Sequence, residues 1–173
     1  MTDTDTTAPH VDAATTQMYR VWIRATPQAI WDAITTSEWS ERYGYRTPVE
    51  YDLRPGGAFR NLANQGMKDI GAPDVVVDGE VIEADPPRRL VQTWRLLMDP
   101  GTLAEPYTRL TYEIDEDEGG VCRLTVTHDL AGAPLHAALV AGTDQVGADG
   151  GGGWAWVLSG LKSLLETGES MEG

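Results

Sequence analysis

One apolar stripe near the C-terminus constrains this chain more than any other feature. Trp154, Val157, Leu158, Leu161, Leu164 and Leu165 recur at i, i+3, i+4, i+7, i+10 and i+11. That is the period of a helix with a single buried face. Lys162 and Glu166 lie off the stripe, and Gly168 stands where a C′ glycine ends a helix. The stripe must lie against something, and most of the chain before it reads as strand.

Residues 19–24 alternate with period two and place Tyr19, Val21 and Ile23 on one face. Thr26 reads as an N-cap with Pro27 at the first helical position, and Ile30, Trp31 and Ile34 follow as a short apolar stripe. Ser37 starts a second short helix with Glu38 and Glu41 in its first turn, and Gly44 is its expected C′ glycine. Residues 49–53 are extended, Pro55-Gly56-Gly57 is a turn, and residues 58–62 are strand. Residues 75–83 form a β-branched run closed by Asp85-Pro86-Pro87. Residues 90–97 are strand, and Pro100-Gly101 breaks the chain. Residues 108–114 alternate with Leu110, Tyr112 and Ile114 on one face, and residues 115–120 read as a hairpin tip. The last strand, residues 121–130, turns Cys122, Leu124, Val126 and His128 inward. Strands at this spacing, joined by tight turns, imply an antiparallel meander. Residues 131–153 are expected to be loop, with a short helix at 135–140 and a glycine run at 150–153. The fold class is therefore α+β, with a curved antiparallel sheet covered by one long C-terminal helix and two short helices after the first strand.

At 173 residues a single domain is expected, here residues 18–168, with a disordered tail at 1–17 and a short one at 169–173. Lys plus Arg number 13 against 27 Asp plus Glu, a formal net charge of −14. That balance argues against tracking nucleic-acid phosphates and against docking on anionic lipid. One cysteine, Cys122, excludes an intramolecular disulfide and a cysteine-only metal site. No apolar run approaches the ~20 residues needed to cross a bilayer. The Thr/Asp-rich start resembles neither a signal nor a transit peptide, so a cytoplasmic protein is expected.

Residues 25–34, Pro55-Gly56-Gly57, residues 79–94 and Gly153-Trp154 opening the final helix together resemble the SRPBCC superfamily, also called START-like, birch-pollen-allergen-like or helix-grip. Within it they look most like the AHSA-type branch, related to the activator of the heat-shock chaperone ATPase. The resemblance covers residues 19–167. It implies about seven antiparallel strands around the terminal helix and an interior cavity for apolar small molecules. It implies no single activity, since members include ligand carriers, cyclases and aromatases, self-sacrificing resistance proteins and chaperone activators. Residues 135–152 depart from the shorter linker expected before the helix.

Phe occurs once, as Phe59, whereas Trp and Tyr each occur six times. Rings with polar tips suit either a bulky core or the wall of a small-molecule pocket. Trp94 and Gln92 share a strand face, and an inward Gln needs partners that core, ligand or cavity water must supply. Trp39 and Tyr43, with Tyr45, sit on or after the second short helix, at the rim of the cavity the resemblance implies. Phe59 and Met98 are candidates from neighbouring strands, Tyr112 and His128 from the later ones, and Trp154 from the helix. His128 and Tyr112 are also the only acid/base candidates, as imidazole titrates near neutrality. Trp156 and Leu97 fall off the buried faces and suit either local packing or self-association, so monomer and homodimer both stand.

Three histidines without zinc-like spacing, no calcium-loop pattern at 115–118 and no Gly-Lys-Ser/Thr after the glycine run point to no metal and no cofactor. No Gly-x-Ser-x-Gly elbow is present either. The leading expectation is a binder of a lipid, polyketide or aromatic metabolite. A cyclase-type enzyme using His128 and Tyr112, and a chaperone-interacting module, are the alternatives.

Overall fold

The C-terminal stripe does form a helix, Gly153–Thr167, and it ends where Gly168 takes the left-handed conformation (φ 83°) and donates its N–H to the Leu164 carbonyl. A computed structural model describes residues 15–145 and 151–171. Most of the expected N-terminal tail, Gly150 of the glycine run and the last two residues lie outside the described residues. The elements are β1 (Thr16–Ile23), α1 (Pro27–Thr35), α2 (Ser37–Ser40), β2 (Val49–Tyr51), β3 (Ala58–Leu62), α3 (Gln65–Asp69), β4 (Val75–Asp85), β5 (Arg89–Leu96), α4 (Pro100–Leu103), β6 (Thr108–Glu116), β7 (Cys122–Asp129), α5 (Pro134–Ala141) and α6 (Gly153–Thr167).

All seven strands join one sheet in the order β1-β7-β6-β5-β4-β3-β2, and each neighbouring pair is antiparallel. The strands from β2 to β7 form the expected meander, and β1 closes against the last strand, leaving β1 and β2 as edges. Opposed residues share a face. One inner row therefore holds Tyr19, Val126, Tyr112 and Leu90, and the next holds Gln17, His128, Leu110, Gln92 and Val81. Ile30, Trp31 and Ile34 of α1 and Leu158, Leu161 and Leu164 of α6 complete the core above these rows. The superfamily fold expected from the sequence is the fold observed.

Side-chain caps account for the starts of three helices, α1, α3 and α4. The Thr26 hydroxyl oxygen accepts the Ala29 N–H at 3.1 Å and caps α1, as its position before Pro27 predicts. Several boundaries differ from expectation. β1 starts at Thr16 rather than Tyr19, and β6 runs on to Glu116 into the predicted hairpin tip. α2 ends at Ser40, so Gly44 is not its cap; Gly44 instead takes φ 60° where the chain passes beneath Val157 of α6. Pro100-Gly101 opens the short helix α4, capped by Asp99, rather than simply breaking the chain. α3 was not expected; Asn64 caps it by accepting the Met67 N–H at 2.9 Å.

Gly79 marks a close approach. A Cβ there would collide with the Thr93 carbonyl oxygen on the neighbouring strand, and the β4–β5 register shifts between Val81 and Glu83. Gly79 also stands opposite Phe59 in the β3–β4 pairing. Gly79→Ala is expected to lower stability by about 3 kcal/mol, or to prevent folding, because backbone rather than a flexible side chain must move. Urea unfolding of the purified variant measures this, and a loss under about 0.5 kcal/mol would remove the close approach from the account.

Candidate functional site

The first turn of α6 is tied to the sheet by side chains. The Gly153 N–H donates to the Tyr45 hydroxyl at 3.1 Å, and the Trp154 indole N–H donates to Nδ1 of His128 at 3.2 Å. Because Nδ1 accepts, the imidazole proton sits on Nε2, which lies 2.7 Å from the Thr108 hydroxyl oxygen. Thr108 in turn donates to the Trp94 carbonyl at 2.8 Å. His128 is fully buried with both nitrogens engaged, and burial, reinforced by nearby His136, depresses its pKa to about 3. It is a neutral imidazole at any ordinary pH.

Around it runs a chain of rings meeting edge to face. Trp94 meets His128 at 5.2 Å on one side and His136 at 5.6 Å on the other. His128 meets Trp154 at 6.1 Å, and Trp154 meets Tyr112 at 6.0 Å. His136 is wholly buried, accepting the Leu96 N–H on Nε2 and donating from Nδ1 to Glu105. Glu105 also accepts the Leu135 and His136 N–H groups at the start of α5. Desolvation works to raise its pKa, but these hydrogen bonds hold it below the usual carboxylate value.

Farther along the inner face, Tyr51 stacks on Phe59 at 4.7 Å and donates its hydroxyl proton to Oε1 of Gln92 at 2.9 Å. Gln92 is fully buried, and its Nε2 has no hydrogen-bond partner among the described residues. Tyr43 donates to the Ala33 carbonyl at 2.9 Å. Burial raises the phenol pKa of Tyr43, Tyr51 and Tyr112, and the last two are raised further by their phenolic neighbours. Tyr51, Tyr112 and Trp94 nonetheless remain only half-buried.

The structure thus brings together Gln92, Trp94, Tyr112, His128 and Trp154, with Phe59 and Tyr43 packed nearby. Trp39 is half-buried with the Arg42 guanidinium 4.8 Å over its ring. Met98 does not join the group: β5 ends at Leu96, so Met98 falls in the following connection and is exposed. Leu97 and Trp156 are half-buried, and Trp156 borders a small hollow with Thr143 and Met171. Cys122 opens β7 rather than lying mid-strand, and it is buried as expected. Sequence reasoning missed Tyr51, Thr108 and Glu105. Tyr51 was findable from its pairing parity with Phe59, whereas Glu105 acts only through tertiary placement.

The site offers neutral donors, acceptors and ring faces. No carboxylate contacts His128, and no cluster of three His, Cys, Asp or Glu suited to a metal occurs among the described residues. A separate groove of about 580 Å³ runs between β1 and α6, and none of the predicted site residues lines it.

The profile of the family described as Activator of Hsp90 ATPase homolog 1-like protein matches residues 24–166. Among solved structures, the chain is similar to the protein encoded by gene BPP1335 of Bordetella parapertussis, at 22% identity and TM-score 0.62 over 94% of this chain and 80% of that one. It is similar to CalU16 from Micromonospora echinospora in solution, at 22% identity and TM-score 0.60 over 91% and 69%. The alignment to CalU16 in its crystal structure spans 63% of that chain. The Aha1 dimer from Colwellia psychrerythraea aligns at 16% identity and TM-score 0.60 over 90% and 98%. Likeness at these identities shows the fold. No curated protein matches the sequence.

The burial of His128 has a pH consequence. Unfolded histidine takes up a proton near pH 6.5, whereas folded His128 resists until about pH 3. The unfolded chain binds more protons across that window, so stability falls as pH drops through it, by up to about 1.4 kcal/mol per unit. Urea unfolding from pH 7 to pH 5 should show this slope. His128→Gln should be less stable at pH 7 yet show a shallower slope; an unchanged slope would mean that His128 is not the group responsible.

Proposed function

The chain belongs to the Activator of Hsp90 ATPase homolog 1-like family, and we propose that it binds a neutral apolar or aromatic small molecule between α6 and the inner face of the sheet. The observation carrying this reading is the unpartnered Nε2 of fully buried Gln92. Leaving such a donor unsatisfied costs about 1–3 kcal/mol, which a ligand carbonyl or hydroxyl would offset. Half-buried Trp94 and Tyr112, with Trp154, supply apolar walls on the same face. None of these residues is charged, which favours a neutral ligand over a carboxylate or a phosphate.

In this reading Gln92 orients the ligand while Trp94, Tyr112 and Trp154 desolvate it. Phe59 and Tyr43 support the wall from behind. His128 holds Trp154 in place rather than touching the ligand as an acid or base. The entrance in this reading lies where Gly44 meets Val157 and the Tyr45 hydroxyl accepts the Gly153 N–H. Lipids, polyketides and aromatic metabolites all fit this chemistry. The engaged nitrogens of His128 weigh for binding over proton transfer.

Thermal-shift screening of mixed libraries of such compounds is expected to yield a ligand that raises the melting temperature. The paired change Gln92→Leu with Tyr51→Phe removes the orphaned donor together with the hydroxyl that leans on it. The double variant should be as stable as the parent, or about 1 kcal/mol more stable, and bind that ligand at least about tenfold more weakly. Unchanged affinity in the double variant, or no ligand from any library, would overturn the reading.

A further inference from the structure

β1 is a sheet edge, and the described residues leave part of that edge open. The Trp22 carbonyl accepts from Nζ of Lys162 at 2.7 Å, and the Arg24 N–H donates to Glu166 at 2.9 Å, so these groups face away from β7 and toward α6. The Thr15 carbonyl accepts the Leu130 N–H and so faces the opposite way. In a strand, the N–H and C=O of alternate residues point to the same side. The main-chain groups of Met18 and Arg20 therefore face α6 as well, and no hydrogen bond reaches them there among the described residues.

The wall opposite is one face of α6: Ala155, Leu158, Ser159, Lys162, Ser163 and Glu166 fall at i, i+3, i+4, i+7, i+8 and i+11. Small side chains at 155, 159 and 163 keep that wall back from the edge, leaving the groove of about 580 Å³. Lys162 and Glu166 close one end of it by bonding to Trp22 and Arg24. The open part is thus bordered by free strand N–H and C=O groups on one side and by a shallow, hydroxyl-bearing helix face on the other.

We infer that this groove accepts an extended peptide segment from another protein, which adds as a short strand to β1 at Met18–Arg20 and lays alternate side chains against Ala155, Ser159 and Ser163. Free strand groups specify an extended backbone as occupant, since only that geometry pairs with them in register. Lys162 and Glu166 neutralise each other, so Arg20 leaves the groove with one net positive charge and favours an acidic residue in the segment. A second copy pairing through β1 would bring its own α6 alongside that strand. A single strand brings no such wall. The segment is short: about three to five residues cover the open edge at ~3.3 Å each.

The test uses the full chain. A displayed library of seven-residue peptides is selected on it, with Ser159→Trp as the counter-selection, since that change fills the groove from an exposed position. Selected peptides should slow hydrogen exchange of the Met18 and Arg20 amides at least about tenfold at saturation. Ser159→Trp should weaken binding by at least about tenfold while leaving the melting temperature within a few degrees, and Ser163→Phe replaces it if the first variant does not fold. N-methylation of alternate peptide residues should abolish binding. Selected peptides that leave both amides unprotected overturn the proposal. So does protection already present without peptide: if deleting residues 2–14 releases it, the edge belongs to the chain's own tail, and if dilution releases it, to a second copy.

Discussion

The hydrogen bond from the Trp154 indole to Nδ1 of His128 is the contact on which the rest of the arrangement depends. It fixes the first turn of α6 over β7 and commits His128 to one tautomer, with Nε2 directed at Thr108 and, through Thr108, at the main chain of Trp94. Three neighbouring strands and the terminal helix are thereby joined through one buried polar chain. Such a network is stable only if each member is satisfied, and here each one is. With the helix start fixed, Leu158, Leu161 and Leu164 fall onto the core and the Ala155–Ser159–Ser163 face turns toward β1.

Against that satisfied network, Gln92 stands out. The two inner rows mix aliphatic, aromatic and polar residues, and among them the Gln92 amide is buried with no partner for its Nε2 among the described residues. A leucine would fill similar space without the penalty. Departures of this kind from local consistency concentrate at functional positions. The proposed preference for binding over proton transfer rests on the same face: both nitrogens of His128 are engaged, and burial raises the phenols of Tyr51 and Tyr112.

The regular parts of this structure were legible because they rest on local periodicity. Period-two runs located β1, β6 and β7, turn signals and a β-branched run located strands between them, the i, i+3, i+4 stripe located α6, and Thr26-Pro27 located the start of α1. Strand parity also placed Gln92, Trp94, Tyr112 and His128 on one face correctly. What was not legible depends on contacts distant in sequence or on very short elements. α3 and α4 are single turns defined by the Asn64 and Asp99 caps, with no periodicity to read. Tyr51 reaches Gln92 across 41 residues only because the sheet curls, and a three-residue β2 gives no hint of that. Met98 was misplaced because the apolar run outlasts the strand by two residues, Leu97 and Met98.

The side-chain amide of Gln92 offers the most direct test of the central claim. Its NH2 resonances can be followed by nitrogen-15 NMR in the protein alone and with any compound that raises the melting temperature. In the free protein the amide is expected to have no protein acceptor, and its proton shifts should move downfield when ligand binds. An amide already hydrogen-bonded to a protein acceptor, or one that a stabilising ligand leaves unmoved, would contradict this.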